Sequence, residues 1–209
     1  MSPLTKMKTA ATYYKPHDFS DLLGTPGFSD TLLKNHFKLY ESYVKNSNEL
    51  IMYFNSFEND DRFKDPLFAD RKRRFGWEFN GMRLHEYYFS NLTRNSVTLP
   101  PKSTLLKKIV EDFESFENWS HEFMVVGAMR GIGWAILAYD EEACRLYNLW
   151  INEHDLGILA GVKPILVMDV FEHAFMTDYG LERDQYISAF MDAINWTEAA
   201  GRFDVREKI

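Results

Sequence analysis

Apolar positions between residues 32 and 54 return every three or four places: Leu32, Leu33, Phe37, Tyr40, Tyr43, Val44, Ile51 and Phe54. This period predicts a long helix, with Ser29 or Asp30 as its cap. A second stripe, Phe75, Met82, Tyr88, Phe89 and Leu92, predicts another helix over roughly residues 68–92. Residues 1–28 have little period and read as an irregular arm that ends in the turn signal Gly24-Thr25-Pro26-Gly27. Asp60-Asp61 and Asp65-Pro66 punctuate the space between the two helices.

Pro100-Pro101 marks the expected boundary, because proline stops an element and pushes its neighbour toward an extended form. Two shorter helices are expected beyond it, over 103–116 and 119–129. The period then changes. Residues 134–139 and 145–151 alternate like strands around the acidic turn Asp140-Glu141-Glu142, and 164–168 is a short apolar run suited to a buried strand. Helices over 170–179 and 182–196 close the pattern. The expected fold is α+β, with a helical pair in residues 1–98 and a mixed α/β half in residues 99–209.

Composition narrows the function. The 209 residues carry 24 basic and 31 acidic side chains, a net charge of −7, so a general nucleic-acid binder is disfavoured. No apolar run approaches the roughly 20 residues of a membrane span, and the N-terminus lacks the pattern of an export signal. The single cysteine, Cys144, excludes an internal disulfide framework and suits a reducing compartment, so a cytoplasmic protein is expected.

Of the six histidines, two interrupt the apolar stripes: His36 on the first long helix and His85 on the second. A third, His173, follows Asp169 by four residues, just past the apolar run 164–168. Alone, the Asp169/His173 pair also reads as a helix cap beside an ordinary histidine. With His36 and His85 it makes three imidazoles and one carboxylate, a donor set for manganese, iron or zinc. The absence of thiolate donors disfavours a structural zinc site. Tyr40 and Tyr43 share the helical face of His36, which would let a phenol stand over the pocket. Gly81, one turn before His85, leaves a gap that His154, from the loop Asn152-Glu153-His154-Asp155, would fill. His17 and His121 read as non-functional.

Taken together these stretches resemble the iron/manganese superoxide dismutase family. Asp169-Val170-Phe171-Glu172-His173-Ala174-Phe175 is similar to that family's D-V-W-E-H-A-Y, and the likeness continues to Ala193-Ile194-Asn195-Trp196 and Arg202-Phe203. His85-Glu86-Tyr87-Tyr88-Phe89 resembles its H-x-x-F-W, Gly131-Ile132-Gly133-Trp134 its G-S-G-W, and Tyr43-Val44-Lys45-Asn46 its Y-V-x-N. The resemblance implies an N-terminal helical hairpin and a C-terminal domain with a three-stranded antiparallel sheet. It implies one iron or manganese ion per subunit, held between them by His36, His85, Asp169 and His173.

The resemblance further implies superoxide as substrate, Tyr43 at the mouth of the substrate funnel, and Trp134 lining the site. His154 stands in for the usual glutamine beside the metal. A homodimer follows too, with Glu172 reaching the partner's ligand histidine and His173 at the interface. Lys38 and Arg183 are candidates to attract the anion despite the net negative charge. The chain departs from the family at Ile136 and Phe171, where tryptophan is usual, and at Met176, where a second tyrosine of the funnel is usual. His36 and Tyr43 are also one residue closer than usual, which leaves Asn35 as a formal alternative to His36. Asn35 is rejected because amides are poor ligands and His36 shares the face of Tyr43. These departures motivate an opposing reading, a metal-binding or assembly protein on the same fold without turnover. A metal-dependent hydrolase ranks last, because no phosphate-cradling glycine loop accompanies the cluster.

Overall fold

The computed structural model describes residues 13–56 and 64–204. The Asp60-Asp61 punctuation and the first part of the N-terminal arm lie outside them. What is described of the arm contains only a 3-10 turn at Ser20–Leu22. Helix α1 spans Asp30–Asn55, and Ser29 caps it by accepting the Leu32 N–H. Helix α2 spans Pro66–Ser90, with Asp65 as cap and Pro66 at the first helical position, where its missing N–H costs nothing. Their side chains pair with falling partner number: His36 meets Phe89, Asn46 meets Glu78 and Phe54 meets Phe68. The two helices are therefore antiparallel, and their shared face carries both stripe histidines.

Helices α3, Thr104–Phe113, and α4, Phe116–Ala128, lead into three strands: β1 Gly133–Asp140, β2 Arg145–Asn152 and β3 Val162–Asp169. The sheet order is β2-β1-β3, and both pairings are antiparallel. The α+β fold with one three-stranded antiparallel sheet is thus present. Trp134 pairs with Ile151 on one side and with Asp169 on the other. Antiparallel pairing gathers the start of β1 and the ends of β2 and β3 at one edge. That edge faces α2, so Trp134, Asp169 and the residues just after β2 all approach His85.

The C-terminal helices differ from the sequence expectation. The helix expected over 170–179 is broken into a 3-10 turn, Glu172–Ala174, and the one-turn helix α5, Met176–Tyr179. The cause is local: Asp169 Oδ1 accepts the Phe171 N–H at 2.8 Å, a turn that competes with helix hydrogen bonding. The helix expected over 182–196 ends early as α6, Arg183–Asp192, and a separate helix α7, Trp196–Asp204, follows. Between them Ile194 forms a β-bridge with Leu92, flanked by Thr93 N–H to Ala193 O at 2.9 Å and Asn195 N–H to Asn91 O at 2.7 Å. This pairing needs extended backbone, so the helix must stop. Arg202 of α7 then donates to Asn91 Oδ1, Ile165 O and Tyr87 O, fastening the end of α2 to β3. No helix among the described residues is long and apolar enough to cross a membrane.

Candidate metal centre

Four side chains from four elements converge where α1, α2 and the edge of the sheet meet. His36 comes from α1, His85 from α2, Asp169 from the last position of β3 and His173 from the 3-10 turn. One donor atom from each lies within 4.8 Å of all the others. Asp169 Oδ2 is 3.1 Å from His36 Nε2, 3.6 Å from His85 Nε2 and 3.2 Å from His173 Nε2. The other oxygen of Asp169 is occupied by the Phe171 N–H, which aims Oδ2 at the three rings.

The protonation of this cluster follows from its surroundings. The His85 Nδ1–H donates to Gly81 O at 2.5 Å, so Nε2 carries the lone pair and faces inward. That Nε2 is buried without a hydrogen-bond partner, as is His36 Nδ1. Burial lowers the pKa of His36 and of His85, the latter helped by the facing His36. Burial alone would raise the Asp169 carboxyl; the His173 and His36 imidazoles outweigh it and hold it well below the usual carboxylate range. The result is two buried imidazoles, His36 and His85, held neutral beside an ionised carboxylate, the protonation state a cation requires of its ligands. An inward-facing lone pair with no donor to meet it is costly when buried, and a cation at the common focus removes that cost.

Tyr43 and His154 stand beside this cluster. The Tyr43 ring stacks on His85 at 5.1 Å between centroids. Its hydroxyl lies 2.8 Å from His154 Nε2, and the Trp134 indole N–H donates to His154 Nδ1 at 3.1 Å. An indole only donates, so Nδ1 of His154 is the acceptor and its ring proton sits on Nε2. The Nε2–H therefore donates to the Tyr43 oxygen, which leaves the phenol proton free for another acceptor. Burial pushes His154 down to about 4, so the ring is neutral near pH 7. Burial, reinforced by the Asp169 and Glu78 charges, pushes the Tyr43 phenol up and keeps it protonated.

Several sequence expectations are corrected here. The space at Gly81 is taken by Tyr43 rather than His154: a Cβ on Gly81 would lie 2.6 Å from Tyr43 Cδ1. Tyr40 does not stand over the pocket. Its hydroxyl donates to Glu86 Oε1 at 3.0 Å and accepts the His17 backbone N–H at 3.0 Å. Asn35 is exposed, while His36 is 1% exposed. The seven-residue step from His36 to Tyr43 is close to two turns, so one uninterrupted helix presents both to the same side. His17 and His121 are exposed, and so is Lys38. Arg183 donates to Gly131 O at 3.0 Å. Phe171 stacks on His154 and on His173, with centroids 4.8 and 5.1 Å apart. Met176 is 44% exposed, and Ile136 is buried in the sheet.

Two neighbours of the site had not been singled out from the sequence. The Trp77 ring packs 4.4 Å from His154, and its indole N–H donates to Glu153 Oε2 at 3.1 Å. Trp77, Gly81 and His85 are spaced by four, so a single helical face carries all three, and that spacing was the available signal.

The chain's likeness to known proteins agrees with this geometry. Residues 101–202 match the family model described as iron/manganese superoxide dismutases, C-terminal domain. The iron superoxide dismutase of Cupriavidus metallidurans is 34% identical over 182 residues, covering 85% of this chain and 89% of the relative. That of Aquifex pyrophilus is 31% identical over 204 residues, 91% of each chain. The manganese superoxide dismutase 2 of Haloferax volcanii is 38% identical over 125 residues, which is 60% of this chain and only 62% of the relative's length. The chain belongs to the iron/manganese superoxide dismutase family.

Proposed function

We propose that the protein is a superoxide dismutase that converts two superoxide ions and two protons into dioxygen and hydrogen peroxide. The observation that carries this reading is the convergence of three imidazole nitrogens and one carboxylate oxygen within 4.8 Å. His36, His85, Asp169 and His173 are the ligands in this reading, with one iron or manganese ion per subunit. Held by these four side chains, such an ion would supply the one-electron redox chemistry that links two superoxide ions.

The chain's own side chains do the rest. The Asp169 carboxylate places a negative charge among the three imidazole nitrogens, which would favour the more highly charged state of the cation. Trp77, Trp134 and Phe171 surround His154 with apolar rings and limit water there. Tyr43, its oxygen held by His154, keeps its own proton available to the anion that is being reduced. Peroxide needs two protons, and a protonated phenol at the pocket is a suitable relay.

The proposed domain arrangement is residues 1–98 for the hairpin and 99–209 for the α/β half, each supplying two ligands. A homodimer is part of the same reading. His173 is 29% exposed at its side chain and Glu172 is exposed beside it. Among the described residues the outer nitrogen of His173 has no hydrogen-bond partner, and a carboxylate from a second copy would supply one. The exposed thiol of Cys144 suits the reducing cytoplasm.

The deciding experiment is superoxide dismutation by separately prepared iron-loaded and manganese-loaded protein, rated per bound metal. Turnover by either form supports the reading. Full metal occupancy in both with no turnover replaces it with a metal-binding protein on this fold.

A further inference from the structure

We propose that Trp77 and Glu153 form a clasp between the helical hairpin and the sheet that positions His154, which makes Trp77 a positioning residue for the His154–Tyr43 pair. The inference rests on reading that pair as part of the reaction site.

The turn after β2 runs from Asn152 to Leu156 and is closed by two backbone hydrogen bonds, Asn152 N–H to Leu156 O at 2.8 Å and Leu156 N–H to Asn152 O at 3.2 Å. Within it Glu153 adopts φ 52°, a left-handed conformation that disfavours residues with a Cβ. His154 is the only residue of this turn that is buried, at 0% exposure. The left-handed step at Glu153 therefore coincides with the point where the chain sends a side chain inward.

What holds Glu153 there is visible. Its backbone N–H donates to Ile132 O at 3.2 Å, and its carboxylate accepts the Trp77 indole N–H at 3.1 Å. Trp77 is itself anchored. The Arg74 guanidinium lies 3.9 Å over its ring, and Arg74 Nε donates to Glu78 Oε1 at 2.7 Å. Glu78 also accepts from Asn46 of α1 at 3.1 Å. The line Asn46–Glu78–Arg74–Trp77–Glu153 thus runs from α1 through α2 to the turn that carries His154. Trp77 also packs edge-on against the His154 ring and lies 5.5 Å from Tyr43. Its ring and its N–H therefore act on the same turn by two contacts. Loss of the N–H alone would leave the packing but free Glu153, and with it the angle at which His154 meets Trp134 and Tyr43.

The test uses the full-length chain with Trp77→Phe, Glu153→Gly and Glu153→Gln. Ring ¹⁵N spectra, recorded metal-free and with bound zinc, report the His154 tautomer without any turnover. Trp77→Phe and Glu153→Gly are each expected to let His154 populate its second tautomer. Each should lower turnover of the manganese-loaded or iron-loaded protein by roughly tenfold, at unchanged metal content. The double variant should be no worse than either single one, because both remove one contact. Glu153→Gln keeps an acceptor and should restore the native spectrum. An unchanged His154 spectrum in both Trp77→Phe and Glu153→Gly overturns the clasp. Because the spectrum does not depend on dismutation, a wild-type chain without turnover would sink the enzyme reading and leave this result standing on its own.

Discussion

Tyr43 and His154 stand 111 residues apart in the chain, yet the phenol oxygen and the imidazole Nε2 are 2.8 Å apart inside the protein. One comes from the helical hairpin and the other from the turn after β2. The direction of their hydrogen bond is set from behind, by Trp134, whose indole can only donate.

That directionality separates substitutions at position 154. His154→Gln can accept from Trp134 through its carbonyl and donate to Tyr43 through its amide. His154→Leu can do neither, and it leaves the buried Trp134 N–H unpaired at a cost of about 1–3 kcal/mol. Leucine should lower turnover per bound metal by roughly 10–100-fold with the metal retained, whereas glutamine should keep most of it. Side-by-side rates and metal analysis decide this, and equal loss in both variants would show that the hydrogen-bond direction is unimportant.

Much of this site was legible because helices and strands have fixed periods. His36 and His85 interrupt apolar stripes, and the seven-residue step from His36 to Tyr43 fits a plain helix. Asp169 ends a strand that the apolar run 164–168 foretold. The filling of Gly81 by Tyr43 was not legible, because it depends on how α1 and α2 are rotated against each other. Trp77 and Glu153 were missed for a related reason, since no local pattern tells that a glutamate will adopt a left-handed turn to meet an indole 76 residues away. The break between α6 and α7 was hidden too: its cause is the bridge from Ile194 to Leu92, a contact distant in sequence.

Metal should add measurably to stability, since the unfolded chain does not hold the four donors together. At free metal a thousandfold above the dissociation constant, binding contributes about 4 kcal/mol. For a chain of this length that corresponds to a rise in melting temperature of roughly 8–16 °C. Asp169→Asn removes the only anionic donor and should abolish most of the rise. Calorimetric scans of chelated and reloaded protein give the answer. A reloaded variant that melts as high as the reloaded wild type would remove Asp169 from the ligand set.

The buried imidazoles predict an acid limit for the metal-free chain. The His154 pKa lies at about 4 when folded and near 6.5 when unfolded. The unfolded state therefore takes up the proton first. Stability is full above about pH 6.5 and falls as pH drops toward 4. His36 and His85 act in the same direction. His154→Gln should flatten part of this slope in urea melts between those two limits. Parallel curves for the variant and the wild type would mean that His154 is not neutral in the folded protein.

Two glycines of α2 provide a test of packing with its own control. Helix propensity favours alanine over glycine by about 0.8–1.0 kcal/mol at an interior position. At Gly76, among the described residues, no atom beyond its chain neighbours and the helix's own backbone lies within 4 Å of a new Cβ, so Gly76→Ala should gain most of that amount. At Gly81 the same methyl would lie 2.6 Å from Tyr43 Cδ1 and 2.8 Å from Tyr43 Cε1. Overpacking of this kind costs about 1–3 kcal/mol, enough to outweigh the propensity gain. The ring can escape only by leaving its stack on His85, which lengthens its hydrogen bond to His154. Gly81→Ala should therefore be destabilised in urea unfolding and should lose turnover, while Gly76→Ala should be stabilised with turnover intact. Stabilisation of both by the same amount would mean that Tyr43 yields at no cost, and that its position against His85 is not what holds the phenol in place.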